Sequence, residues 1–204
     1  MKSLGINENS KGKILLTATT LFAQKGFEGT SIRDICKKAN INISMISYYW
    51  GGKKELYQSI MDDLMQKQKT YLEAFIDINT ELSKLSKRQK KNMLYDVCDK
   101  IIDFAYSKIS KDLMFFLFRE QQNSIATVNS PVFNMIKKLI SDILKKNEYD
   151  REVVLYTVFI ISQIASPKIF SNLSLKQAKQ KNFTEEDINI IKHNLKKYID
   201  VIFE

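Results

Sequence analysis

Proline and glycine are scarce in this chain of 204 residues, which has two of the first and six of the second. Strand-rich folds need many turns built on those residues, so their scarcity points to long helices joined by short loops. No alternation of apolar and polar residues runs long enough to rival the helical spacings. Histidine occurs once, as His193 among Lys192, Lys196 and Lys197, where a solvated or dimer-edge role is expected. Cysteine occurs twice, as Cys36 and Cys98. There is no glycine-rich phosphate loop, and the carboxylates make no compelling pair, so no catalytic constellation assembles. An enzyme is therefore not expected, nor is a cofactor or a metal. Both cysteines sit in apolar helical patterns, and residues 1–13 are polar with no apolar signal core. A reduced, cytoplasmic protein is the expectation. The longest apolar run, Val153–Ala165, holds Thr157, Ser162 and Gln163. It is shorter than the ~20 residues a bilayer requires, so a buried or partner-facing helix is expected and no membrane partner.

Arginine is scarce too. Only Arg33, Arg88, Arg119 and Arg151 occur, yet the net charge is +9. Residues 1–60 carry nine basic side chains against four acidic ones. The positive density therefore lies at the N-terminal end and suits an anionic partner.

What is present is helical periodicity. Residues 1–9 lack a pattern and read as an arm. From Ser10 the residues Ile14, Leu15, Ala18, Leu21 and Phe22 make one helix face, which Gly26 stops. Thr30 or Ser31 can cap a second, short helix with Ile32, Ile35, Cys36 and Ala39 inward. Asn40 follows where a tight turn needs a left-handed backbone. A third short helix spans about Asn42 to Trp50, closed by Gly51 and Gly52. A long fourth starts near Lys53 and carries Leu56, Tyr57, Ile60, Leu64 and Leu72. The second and third helices are joined as in a helix-turn-helix. Further helices are expected at 87–109, 111–124, 130–147, 151–166 and 184–203, with Asp150 and Thr184 (with Asp187) as capping signals. Pro131 marks a start and Pro167 a break or kink. Residues 167–183 have no clear pattern. The expected fold is all-α, with a helix-turn-helix domain over 1–52 and a helical domain over 53–204 that share the fourth helix as a joint.

On a helical wheel, Ile43, Ile46, Ser47 and Trp50 fall to one side of the third helix, and Ser44, Met45, Tyr48 and Tyr49 to the other. Trp50 and Ile46 then face the small core of Ile14, Ala18, Phe22, Ile35 and Ala39. Tyr48 and Tyr49 face away, beside Lys53 and Lys54. Rings and hydroxyls in that position suit sugars, thymine methyls and phosphate oxygens. Lys53 lies at a helix N-terminus, which already favours an anion. Thr30 and Ser31, with Arg33 one turn in, make a second such start.

The stretch "TSIRDICKKANINISMISYYWGGKKELY", Thr30–Tyr57, resembles the DNA-binding motif of the TetR family of bacterial regulators. Thr30, Ile35, Ala39, Ile41, Trp50, Lys53 and Leu56 hold matching positions, and "ATTLFAQKGFEGTS" upstream is similar to the family's first helix and its ending. Cys36, Asn40, Asn42 and Trp50 stand where alanine, glycine, serine and phenylalanine are usual. Ser47 replaces a common tyrosine and has Tyr48 beside it. "NISMISYYWGGKKELY" and, more weakly, "FREQQNSIATVNSPVF" (Phe118–Phe133) resemble the subgroup whose C-terminal domain is called CecR or YbiH.

The resemblance implies a homodimer on a palindromic double-stranded operator, usually as a repressor, with a small-molecule inducer held in the larger domain. Base contacts are expected from Ser44, Met45 and Tyr48. Phosphate contacts are expected from Thr30, Ser31, Arg33, Asn42, Ser47, Tyr49, Lys53 and Lys54. The inducer pocket is expected near Tyr95, Cys98, Phe115, Arg119, Gln122 and Gln163, with Phe104, Tyr106 and Phe116 as further rings; at helical spacing such rings also read as core. The last two helices imply a dimer face of Tyr156, Phe159, Ile160, Gln163, Ile188, Ile191, Leu195, Tyr198 and Ile202. The competing reading is a helical interaction or membrane-surface module that uses its basic face without sequence preference.

Overall fold

A computed structural model of the chain describes residues 8–123, 125 and 130–203. The expected N-terminal arm, save its last two residues, lies outside them. Among the described residues there are α-helices and one 3-10 turn but no strand. The helices are α1 (Glu8–Lys25), α2 (Ile32–Ala39), α3 (Ser44–Trp50), α4 (Lys53–Glu73), α5 (Lys87–Ser107), α6 (Lys111–Asn123), α7 (Pro131–Leu144), α8 (Arg151–Ile169), α9 (Ser171–Gln177) and α10 (Glu185–Ile202), with the 3-10 turn at Leu82–Lys84.

The ends of these helices follow from local chemistry. The Ser31 hydroxyl accepts from the Asp34 N–H at 3.0 Å, and the Asp34 carboxylate accepts from the Ser31 N–H. Thr184 with Asp187 and Ser86 with Gln89 make the same reciprocal box. Each such cap contributes about 1 kcal/mol by satisfying backbone donors that a helix start leaves free. Asn40 adopts φ 52, ψ 56, the left-handed turn expected between the second and third helices. Of the break or kink expected at Pro167, the break does not occur: α8 runs through it to Ile169. The proline lacks the N–H for one backbone bond of the preceding turn, and the helix ends two residues later. The unpatterned stretch after it holds α9, whose seven residues are too few to show a period.

The chain forms two compact units, Met1–Leu64 with Ser110–Val128, and Met65–Ile109 with Asn129–Glu204. This differs from a division at residue 52. The first half of α4 sends Leu56, Tyr57, Ile60 and Met61 into the core of the first unit, and α6 packs along α1. There Phe22, Phe27, Tyr57 and Phe116 form one ring cluster, with centroids between 4.6 and 6.3 Å apart. Each such pair adds about 0.5–1.5 kcal/mol beyond its burial. The Tyr57 hydroxyl donates to the buried Glu120 carboxylate at 2.6 Å. Burial, reinforced by that carboxylate, holds the phenol well above its ordinary value. The expected core of Ile14, Ala18, Phe22, Ile35, Ala39 and Ile46 is buried throughout, whereas Trp50 is only half-buried.

In the second unit, α5, α7 and α8 pack around Leu94, Val97, Ile102, Ile136, Leu139, Ile140, Val153 and Ile160. Lys168 is buried there, and its ammonium donates to the carbonyls of Ala105 (2.7 Å) and Ile109 at the end of α5. Loss of water lowers the Lys168 pKa. The two cysteines are free and buried, Cys36 in the first unit and Cys98 in the second, and burial raises both thiols. The apolar run at Val153–Ala165 is part of a longer helix than expected. By length and composition α8, at 19 residues, is able to cross a membrane. Its open face is described below.

Candidate nucleic-acid interface

Helix α3 is short and has one buried side chain, Ile46. Asn42 fixes its start: the side-chain oxygen accepts from the Ser44 N–H at 2.9 Å and from the Ser44 hydroxyl at 2.9 Å. The asparagine thus makes a local turn into the helix, one residue before the N-cap Ile43, and its amide oxygen is engaged with the chain itself. Gly51, at φ 85, lets the chain leave the helix in a backbone shape that side chains resist. Around buried Ile46, the face open to solvent carries Ser44, Ser47 and Tyr48, with Tyr48 70% exposed. Met45 is half-buried at its edge.

The wheel mis-assigned two positions. Ile43, which precedes the helix, and Ser47 are exposed, not inward with Ile46. Tyr49 is also corrected. Its ring stands edge-on to Tyr48 and to Trp50, each at 5.3 Å, and its hydroxyl is shielded from water with no partner. As placed, that hydroxyl does not present itself to a phosphate.

The flanking cations and hydroxyls divide into two groups. Arg33, Lys37, Lys38 and Lys54 are exposed; Ser31 is exposed too, but its hydroxyl donates to the Asp34 carboxylate at 2.7 Å and accepts from the Asp34 N–H, so it is engaged. Thr30 is 1% exposed, and its hydroxyl donates to Gly26 O at 2.8 Å and Leu21 O at 3.2 Å. It fastens the connector between α1 and α2 and is not free for a phosphate. Lys53 is engaged as well. Its ammonium donates to Phe27 O at 3.0 Å and lies 4.0 Å from the centre of the Phe27 ring. Sequence reasoning missed Lys11, whose ammonium lies 5.9 Å from the Trp50 ring and so beside the end of α3. Nothing in the local pattern around Lys11 signals this proximity.

The expected inducer-pocket residues are divided between the two units. Phe115, Arg119 and Gln122 lie on α6 in the first unit; Tyr95, Cys98 and Gln163 lie in the second. Arg119 is tied to the end of α1: Nε donates to Ala23 O at 2.8 Å and Nη2 to Gln24 O at 3.3 Å. Gln122 is exposed, Gln163 half-buried, and Phe104 and Phe116 are core. Tyr95 donates to Asp200, and with Cys98 it lines an open groove of about 400 Å³ between α5 and α10, beside Asp99, Lys192, His193 and Lys196. A second cavity, of about 210 Å³, was not foreseen. Leu72, Leu82, Met93, Pro131, Met135 and Leu139 wall it, with Lys69 and Lys138 also in its lining. No group of three or more His, Cys, Asp or Glu side chains suited to a metal occurs among the described residues.

The expected dimer face is corrected at two positions. Ile160 and Leu195 are buried in the core and are not available to a partner. Phe159 is open, and beside it on α8 stand Leu155 and Val158, which the expectation omitted. Ile190 and Val201 are the open apolar residues of α10, while Tyr156, Gln163, Ile188, Ile191, Tyr198 and Ile202 are half-buried.

The chain is similar to known regulators over both parts of its length. Residues 14–60 match the family model described as "Bacterial regulatory proteins, tetR family", and residues 90–204 match "HTH-type transcriptional dual regulator CecR, C-terminal domain". The chain is 29% identical over 147 residues to the "Probable HTH-type transcriptional regulator YttP" of Bacillus subtilis strain 168, a match covering 72% of this chain and 63% of that protein. It is 23% identical over 208 residues to the dual regulator CecR of Shigella flexneri, covering 97% and 92%. Among solved structures, the transcriptional regulator FadR of Bacillus subtilis in complex with stearoyl-CoA superposes with a TM-score of 0.58 at 15% identity, over 92% of this chain and 96% of that one. The chain belongs to the TetR family of DNA-binding transcriptional regulators, with a C-terminal domain of the CecR type.

Proposed function

We propose that the protein is a repressor that binds a palindromic operator as a homodimer and responds to a small molecule held in its C-terminal unit. The observation that carries the reading is the open face of α3. Ser44, Ser47 and Tyr48 stand clear of the core while Ile46 anchors the helix beneath them, so an edge of this helix can enter a major groove. Ser44, Met45 and Tyr48 read bases. Arg33, Ser47 and Lys54 hold phosphates, which fix register and carry no sequence information. Homodimerisation is supported by the open apolar residues of α8 and α10. A two-fold dimer calls for an operator with two-fold symmetry. Response to an effector is supported by cavities in the C-terminal unit, among them the two described above. In this reading the protein works in the cytoplasm, and α8 meets a protein partner instead of a bilayer.

In vitro selection from a random duplex pool, followed by fluorescence anisotropy on the selected and a scrambled duplex, tests this reading. The expected result is a palindrome bound ~10³-fold or more tighter than scrambled DNA. Tyr48→Ala is expected to weaken that binding by about 1–3 kcal/mol and to change the preferred bases. Lys54→Ala weakens all sequences alike and reduces the salt slope by ~0.9. Equal binding to every sequence favours the polyanion-binding alternative and rejects the operator reading.

A further inference from the structure

The six residues between α1 and α2 decide where the helix-turn-helix sits, because α2 and α3 follow them through one tight turn at Asn40. This connector is built on Gly26, at φ 75, and on Thr30, whose hydroxyl and N–H both bond back to it. Two cations from distant parts of the chain close on it. Lys53, 26 positions along, bonds the Phe27 carbonyl and covers the Phe27 ring. The Thr30 N–H shares that same carbonyl at 3.2 Å. Arg119, 96 positions beyond Ala23, bonds the last carbonyls of α1. Its Nη1 lies 3.5 Å from where a Cβ on Gly26 would stand. Both cations thus hold neutral carbonyls, and the guanidinium also faces the negative end of the α1 dipole. Of α6 as a whole, Arg119, Glu120 and Phe116 all point into the same unit.

We propose that Lys53 and Arg119 are positioning residues: together they clamp the α1–α2 connector and set operator affinity and specificity without contacting DNA. The inference rests on the DNA-binding reading above. It also reassigns Lys53, which its place in the motif marks as a phosphate ligand. A clamp and a phosphate contact leave different signatures. A phosphate contact adds to binding on every sequence and contributes about 0.9 to the slope of log K against log salt. A clamp leaves the number of released counterions unchanged, so its loss reduces specific binding more than non-specific binding and leaves the slope alone.

The test measures binding of Lys53→Gln, Arg119→Gln and Arg119→Lys to the duplex selected with the wild-type protein and to scrambled duplex, from 50 to 300 mM KCl. Lys54→Gln is the phosphate-contact control. The clamp predicts a loss of about tenfold on the selected duplex for Lys53→Gln and for Arg119→Gln, the factor that one charge-assisted hydrogen bond supplies. Loss on scrambled duplex should be under threefold, slopes should match wild type, and Arg119→Lys should recover part of the loss. A slope lower by about 0.9 for Lys53→Gln, or equal loss on both duplexes, overturns the proposal. Amide exchange in the DNA-free protein gives a second, independent reading. The clamp predicts at least tenfold faster exchange at the Thr30 N–H in both glutamine variants, with α10 unchanged; unchanged exchange at Thr30 rejects it. If the wild-type protein shows no sequence preference, the operator reading falls, and the exchange measurement alone decides the clamp.

Discussion

Helix α3 buries one side chain in seven residues and leaves hydroxyls and a phenol open, whereas α8 buries five in nineteen and leaves Leu155, Val158 and Phe159 open. Both helices use one face for the core and one for something outside. The outward faces are opposite in chemistry, which separates the partners they suit. A polar face beside exposed cations suits a hydrated polyanion, where polar groups exchange water for phosphates and base edges. An apolar face gains only where water leaves it entirely, as against a second protein surface. The difference also fixes how firmly each helix is held. Helix α3 depends on the elements around it, because a single buried isoleucine gives it little hold of its own. Helix α8 is anchored by a continuous stripe of Val153, Thr157, Ile160, Ile164 and Lys168.

The comparison breaks most visibly if the support of α3 is removed. Phe116→Ala takes a fully buried ring from the cluster with Phe22 and Tyr57, and should cost about 3–5 kcal/mol. Trp50 is the lone tryptophan and lies in this unit, so its fluorescence reports the melting there. An unchanged Trp50 transition would mean that α6 does not support the DNA-binding unit. For α8 the corresponding change is Phe159→Asp, at a ring 47% exposed. Dimer association should weaken by about 2 kcal/mol or more while the fold persists. Light scattering at micromolar concentration should then show the monomer mass, and a dimer retained in full removes α8 from the interface. The smallest effect is expected at the start of α2. Ser31→Ala removes one capping box and should cost about 1 kcal/mol in a thermal melt.

The same box has a pH dependence. Hydrogen bonds from Ser31 hold the Asp34 carboxyl below its ordinary value of 3.8. A carboxyl lowered by folding adds stability that is complete above its unfolded pKa and is lost as pH falls through the folded one. Acid should therefore loosen the start of α2 only below about pH 4, and Asp34→Asn should abolish that dependence. Melts of wild type and Asp34→Asn from pH 3 to 7 measure it.

Much of this was readable from the sequence. The caps at Ser31 and Thr184, the Asn40 turn, the Gly51 exit and the apolar stripe of α4 all involve residues within four or so positions of each other, so local pattern contains them. The misassignments have a common cause in long-range contact. Thr30, Lys53 and Arg119 are residues of the kind expected to meet phosphate or ligand, yet each is engaged by a carbonyl of the α1 end or the connector. Ile160 and Leu195 match the apolar stripe of their helices as well as Phe159 does, and only packing shows which of them is covered.

The sequence by itself determined the all-helical class, the helix-turn-helix and its place in the chain, because hydrophobic period, caps and turn residues act over a few positions. The tertiary structure decided which polar groups remain free to meet DNA and which apolar side chains remain open to a partner. Both depend on distant carbonyls and side chains that satisfy or cover a group, and no local pattern records those.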